Sequence, residues 1–143
     1  AAWLQLLTDA AAAAAAADSE LLRSEADPIH PARIYGELLP RLAEDAVLIG
    51  DTGASGGRYG KIRNVGRPVT GRAKVVALVK ALARQAVERA DIQERVLNGQ
   101  PGVVVFRNGR AIGAILVAVA DGKIRHVYMQ FDSRRLKHVG QMN

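Results

Sequence analysis

The 143-residue sequence predicts an α+β domain in which helices pack against one face of a curved antiparallel sheet. Three observations carry this reading. Residues 94–136 read as a meander of strands joined by short turns, because Asn108-Gly109 and Asp121-Gly122 are two-residue hairpin signals lying between apolar runs. Pro101-Gly102 is read as the turn before Val103-Val104-Val105-Phe106. The helical signals all precede this meander, so the helices must be packed against it.

The chain opens on Trp3-Leu4-Gln5-Leu6-Leu7 and eight alanines, Ala10 to Ala17. Alanine is the best helix former, and the spacing predicts a helix over about 2–24. Asp27-Pro28-Ile29-His30-Pro31 breaks it, since each proline pushes its predecessor toward extended backbone. His30 is read as a turn histidine. Residues 1–25 are thus a separate alanine-rich helix, and residues 26–143 form the α+β domain.

A second helix is expected from Ala32 to Glu44, kinked or shortened by Pro40. Ala46-Val47-Leu48-Ile49-Gly50 reads as a short buried strand closed by the glycine-rich loop Asp51 to Gly57. That loop lacks the spacing of a phosphate-binding P-loop or a dinucleotide fingerprint, and it is read as a turn. A further strand is expected over Tyr59–Val65. A helix then runs from Thr70 or Gly71 to Arg89, with Val75, Leu78, Val79, Leu82 and Ala86 as its buried stripe.

Composition narrows the function classes. With no cysteine there is no disulfide, thiolate metal site or cysteine nucleophile, which suits a cytoplasmic protein. No apolar run is long enough to span a membrane, so no membrane partner is expected. No cofactor or metal site is expected. Residues 1–57 hold 9 acids against 3 bases, whereas residues 58–143 hold 5 against 17. A basic half of this kind suits nucleic acid or an acidic protein, but stacking aromatics are few and a solvated face is the simpler reading.

The order of several local motifs resembles the SnoaL-like domain at the C-terminus of extracytoplasmic-function sigma factors. That family shares the open cone of nuclear transport factor 2 and ketosteroid isomerase. The resemblance covers residues 41–140. It rests on Arg41 to Asp51, on Arg67-Pro68-Val69-Thr70-Gly71-Arg72-Ala73-Lys74-Val75-Val76, on Leu97 to Gly102, on Asp121 to Ile124 and on Asp132 to Val139. It implies a cone-shaped fold and a regulatory role in transcription initiation, with sigma-factor regions or RNA polymerase as partners. It also implies that the loop from Asp51 to Lys61 makes the contact, with Asp51, Gly53, Gly56, Gly57 and Lys61 as binding residues. In the family this loop is a compact DGGGK, and here it is expanded.

Residues 26–51 also resemble the opening of the cofactor-binding domain of acetolactate-synthase-type thiamine diphosphate enzymes. The GDG motif such enzymes need to hold magnesium and diphosphate is missing, so that activity is set aside.

Two other functions are carried forward. One is a small-molecule enzyme or binder, of isomerase, cyclase or hydrolase type, holding a small apolar ligand in the cone. Alternation along the last strand puts Ile124, His126, Tyr128 and Gln130 on one face. If that face lines the cone, His126 is the base, Tyr128 a hydrogen-bond donor, and Asp51 reaches the same mouth. The other is a homodimeric structural module paired through its sheets.

Overall fold

The computed structural model describes residues 2–26, 29–53, 58–59, 62–63, 66–86 and 90–140. Helix α1 spans Ala2–Leu22 and helix α2 spans Pro31–Leu38. His30 caps α2, its Nδ1 accepting the Ala32 N–H at 3.1 Å, which satisfies one of the free donors of the first turn. The two helices meet closely at Gly36, where a Cβ would lie 2.6 Å from the Leu22 carbonyl oxygen. Along residues 2–16, α1 is exposed on all sides.

The second helix is shorter than its sequence spacing predicts. Pro40 cannot donate to the α ladder, so the chain tightens into a 3-10 turn at Leu39–Arg41. Strand β1 then begins at Leu42 and runs to Asp51, taking in residues expected to be helical. Short strands β2 (Arg58–Tyr59) and β3 (Ile62–Arg63) pair as a small separate ribbon. Strand β4 (Val69–Thr70) leads into helix α3, Arg72–Ala86. The meander follows as β5 (Asp91–Leu97), β6 (Gln100–Arg107), β7 (Arg110–Ala120) and β8 (Lys123–Gln130). A C-terminal 3-10 turn, Arg135–Val139, closes the described chain.

The six-stranded sheet has the order β4-β1-β8-β7-β6-β5 and is curved and unclosed. Its meander is antiparallel as expected, while β1 runs parallel to β8, so the sheet as a whole is mixed. Three hairpins use Asn-Gly or Asp-Gly with positive φ at both residues: Asn98-Gly99, Asn108-Gly109 and Asp121-Gly122. The turn expected at Pro101-Gly102 is therefore three residues earlier, and both of those residues lie inside β6.

The main core lies between the sheet and α2–α3. Leu42, Ala46 and Leu48 of β1, Val75, Val79 and Leu82 of α3, and Ile124, Val127 and Met129 of β8 form it. A smaller cluster of Val104, Phe106, Ala114 and Leu136 lies on the opposite, outer face, where the C-terminal 3-10 turn covers β6 and β7.

Candidate functional site: the outer sheet face and the β1 junction

Strand register decides where each candidate residue points. Val47, Ile49 and Asp51 of β1 stand opposite His126, Tyr128 and Gln130 of β8. Their chain neighbours Leu48, Val127 and Met129 are buried in the helix-side core, so period-two alternation turns the first set outward. His126, Tyr128 and Asp51 thus share a face, but it is the outer face of the sheet and not the cone interior. Ile124, expected beside them, is buried in the helix-side core instead. The register shift between Ala118 and Val119 opposite this stretch resets the alternation.

On the outer face the His126 and Tyr128 rings stack with centroids 5.8 Å apart. Tyr128 keeps 40% of its surface exposed and Ile49 keeps 37%, leaving an apolar shelf in water. Beside it a groove of about 540 Å³ runs between Ile49, Leu116 and Tyr128 of the sheet and Arg135, Leu136 and Val139 of the 3-10 turn. Gly102 keeps this floor level. A Cβ there would meet Leu116 Cδ2 at 2.7 Å and Leu97 Cδ1 at 2.8 Å.

At the end of the groove the chain ties two segments together. Asp51 Oδ1 accepts the Gly53 N–H at 2.9 Å, and Oδ2 accepts from Gln130 Nε2 at 3.2 Å. Arg135 Nη1 lies 3.2 Å from the same Oδ2, and the Phe131 N–H donates to the Asp51 carbonyl at 2.7 Å. The Gly53 N–H first, then Gln130 and Arg135, hold the Asp51 carboxyl below the usual range. Asp132 is buried against this junction, and its Oδ1 accepts the Arg134 N–H at 3.0 Å. The Arg134 side chain and backbone lower its pKa too. Gly53 has φ +58, and a Cβ there would lie 2.6 Å from Asp132 Cγ. The other residues assigned to this loop contact, Gly56, Gly57 and Lys61, lie outside the described residues.

The cone interior has a different chemistry. Between the sheet and α2–α3 lies a cavity of about 50 Å³, walled by apolar side chains such as Leu82, Ile92, Met129 and Phe131, with Tyr35 at its edge. Among the described residues, no carboxylate and no imidazole lines it. A larger groove of about 790 Å³ opens next to it, bounded by Glu25, Arg33, Glu37 and Glu94 over Val103, Ile115 and Val117. Glu37 accepts from Arg33 Nε at 2.9 Å and pairs with Arg41 at 2.8 Å, and Arg33 above all keeps its pKa low. The sequence reading missed this acidic rim. Glu94 follows Ile92 by two residues, so alternation from the buried Ile92 was the available signal.

Among the described residues no three His, Cys, Asp or Glu side chains are placed to hold a metal ion, and no helix is long and apolar enough to cross a membrane.

No family model and no curated protein matches the chain. Its neighbours among solved structures are SnoaL-like and NTF2-like proteins. They include the extracytoplasmic function sigma factor SigJ of Mycobacterium tuberculosis, at 22% identity and a TM-score of 0.49 over 75% of this chain and 42% of that one. An NTF2-like protein of unknown function from Mesorhizobium loti matches at 20% identity and 0.47, over 79% and 88% of the two chains. A ketosteroid isomerase-like protein from Kribbella flavida matches at 19% identity and 0.42, over 80% and 76%. The match thus spans about two fifths of the length of the sigma factor. At these values the likeness assigns no activity, substrate or partner. The acetolactate-synthase-type resemblance of residues 26–51 is not shown by these comparisons.

Proposed function

We propose that this chain is an interaction domain that docks a protein partner on its outer sheet face, beside the Asp51–Arg135 junction. The observation that carries the reading is the separation of chemistries. The described polar side chains among the candidate catalytic and binding residues, Asp51, His126 and Tyr128, lie on the outer face or at the junction, while the cavity between the sheet and the helices is apolar and about 50 Å³. Pockets that turn over small molecules run to roughly 300–1,000 Å³ with convergent polar groups; the small cavity has neither, and the helix-side groove of about 790 Å³ contains none of the candidate catalytic residues Asp51, His126 and Tyr128. Asp51 is a poor general base, because its neighbours favour the charged form and lower its proton affinity. The exposed Ile49 and Tyr128 shelf offers what a docking surface needs, an apolar centre with a polar edge.

The sequence resemblance supplies the partner: sigma-factor regions, in a cytoplasmic complex that adjusts transcription initiation. The test is a calorimetric titration of this chain with a separately expressed sigma-region fragment encoded in the same gene neighbourhood. Saturable binding weakened by Asp51→Ala supports the reading. Absence of binding in a folded sample sinks it. The same exposed shelf also favours a second reading, pairing of two copies through their sheets, which a concentration series by analytical ultracentrifugation separates from the first.

A further inference from the structure

Helix α1 has no part in that docking surface, and its composition does not suit the water around it. Every residue from Ala2 to Ala16 is exposed. Trp3, Leu4, Leu6 and Leu7 keep 62%, 52%, 71% and 57% of their surface in water, and from Ala10 the chain runs on as alanine. The helix is held at its other end, where Gly36 of α2 closes on Leu22. A helix of this length with nothing packed along it is marginal in water. Large contiguous apolar patches on a protein surface mark interaction sites.

The exposed part of the helix has two distinct faces. Trp3, Leu7, Ala10 and Ala14 follow one another at steps of four, three and four residues, the seam spacing of a two-stranded coiled coil. Leu4 and Leu6 flank that seam on either side. Gln5, Thr8, Asp9 and Ala12 lie on the opposite face. There Gln5 Nε2 donates to Asp9 Oδ1 at 2.9 Å, and the Thr8 hydroxyl donates to the Leu4 carbonyl at 2.9 Å. The polar side chains are bonded along their own helix, turned away from the seam.

We infer that two copies of this chain pair antiparallel along α1, Trp3 of each seating over Ala14 of the second copy and Leu7 over its Ala10. The order of sizes along the seam selects both the occupant and the direction. From its N-terminal end the seam runs large, large, small, small. A second copy laid antiparallel therefore sets an alanine against each large side chain in every layer. That arrangement is self-complementary about a two-fold axis, as an isologous contact requires, and alternation of large with small fills a seam without voids. A parallel pair would set Trp3 on Trp3 and Leu7 on Leu7, leaving alanine facing alanine across a gap. Alanine also lets the helix axes approach to about 8 Å. The contact from Trp3 to Ala14 covers about 16 Å of axis, so the pair forms by mass action and dissociates on dilution.

Trp3 is the single tryptophan of the chain, so its emission reads this contact directly. In a dilution series of the full chain, sedimentation shows a monomer–dimer equilibrium. Trp3 emission moves to shorter wavelength, and acrylamide quenching falls, as the dimer forms. Ala14→Glu places a charge under Trp3 of the second copy and weakens pairing by about tenfold or more. Ala12→Glu, the same change on the polar face, leaves the dissociation constant within about twofold. The two variants together separate loss of the contact from any effect of glutamate on the helix itself. The chain has no cysteine, so mild oxidation of mixed Leu7→Cys and Ala10→Cys chains gives a linked pair, while Leu7→Cys alone does not link. A monomer at every concentration overturns the inference. So does a dimer whose Trp3 stays exposed, which is pairing through the sheets, or a monomer whose Trp3 is buried, which is cover by the same chain. Equal effects of the two glutamates, or linkage of Leu7→Cys chains to one another, overturn it as well. Binding of the sigma-region fragment is unaffected by Ala14→Glu, so failure of this contact is distinguishable from failure of the docking face.

Discussion

Arg135 Nη1 stands 3.2 Å from Asp51 Oδ2, joining the end of β1 to the C-terminal 3-10 turn across the sheet edge. The pair is half in water and is worth little by itself. Its weight comes from company, since the same carboxylate caps the turn at Gly53 and accepts from Gln130. Two segments far apart in sequence are thereby set as one edge of the outer groove.

That arrangement gives stability a pH dependence. Asp51 and Asp132 both have folded pKa values lowered by their donors, whereas an unfolded aspartate titrates near about 3.9. Their stabilisation is therefore complete above that value and is lost as pH falls through the folded pKa. Asp51→Asn is expected to cost about 0.5–1 kcal/mol at pH 7, discounted for exposure. The gap between the two proteins should narrow in urea melts below about pH 4. A gap that stays constant down to pH 2 would remove the carboxylate from this account.

Two glycines in neighbouring strands should respond oppositely to alanine. A Cβ at Gly102 meets two leucine methyls under 3.0 Å and the Ile115 carbonyl at 3.1 Å, so the outer-face packing must open. The expected loss is about 1–3 kcal/mol. At Gly113 the nearest atoms are the Phe131 ring carbons at 3.5 Å, an ordinary contact, and the added methyl points into the small cavity. Gly113→Ala should be neutral or stabilise by up to about 1 kcal/mol, since alanine has less backbone entropy to lose. Thermal melts of the two variants decide it, and equal losses would contradict the packing described.

Much of this fold was legible because local chemistry and tertiary structure agree. The Asn108-Gly109 and Asp121-Gly122 turns need positive φ and have it. The stripe of Val75, Val79 and Leu82 is the buried face of α3. Where several signals competed, the reading slipped. Pro101-Gly102 looked like a turn, yet Asn98-Gly99 three residues earlier makes the hairpin, and Gly102 is kept small by leucines from two other strands. Residues 42–44 follow a helical pattern locally, but pairing with β8 holds Leu42 in the sheet. Ile124 was set on the wrong face because β8 carries an extra residue, Arg125, between the pairs Ala118–His126 and Val119–Ile124, and strict period-two counting does not register it. The acidic groove needed α2, β5 and residues 24–26 brought together, and no single stretch of chain announces that.

Adjacent residues of β1 should differ sharply in cost. Leu48 is fully buried among Val75, Val127 and Met129, while Ile49 faces the outer shelf. Leu48→Ala is expected to lose about 2–5 kcal/mol through lost burial and the cavity left behind. Ile49→Ala should lose under about 1 kcal/mol. Urea midpoints for the pair test whether β1 presents its faces as described, and a reversed order would mean a register slip of one residue.

Tyr128 offers the direct test of the docking face. Its ring is partly in water, stacked on His126 and set opposite Ile49 and Leu116. Removing an exposed aromatic costs the free domain little, but at the centre of an interface it removes a large desolvated contact. Tyr128→Ser should therefore leave the urea midpoint nearly unchanged while weakening sigma-region binding by about tenfold or more. His126→Ala should weaken it less, since His126 lies one row further from the groove. If Tyr128→Ser binds as the parent does while Glu94→Gln does not, the partner occupies the helix side of the sheet and the outer face is only a solvated surface.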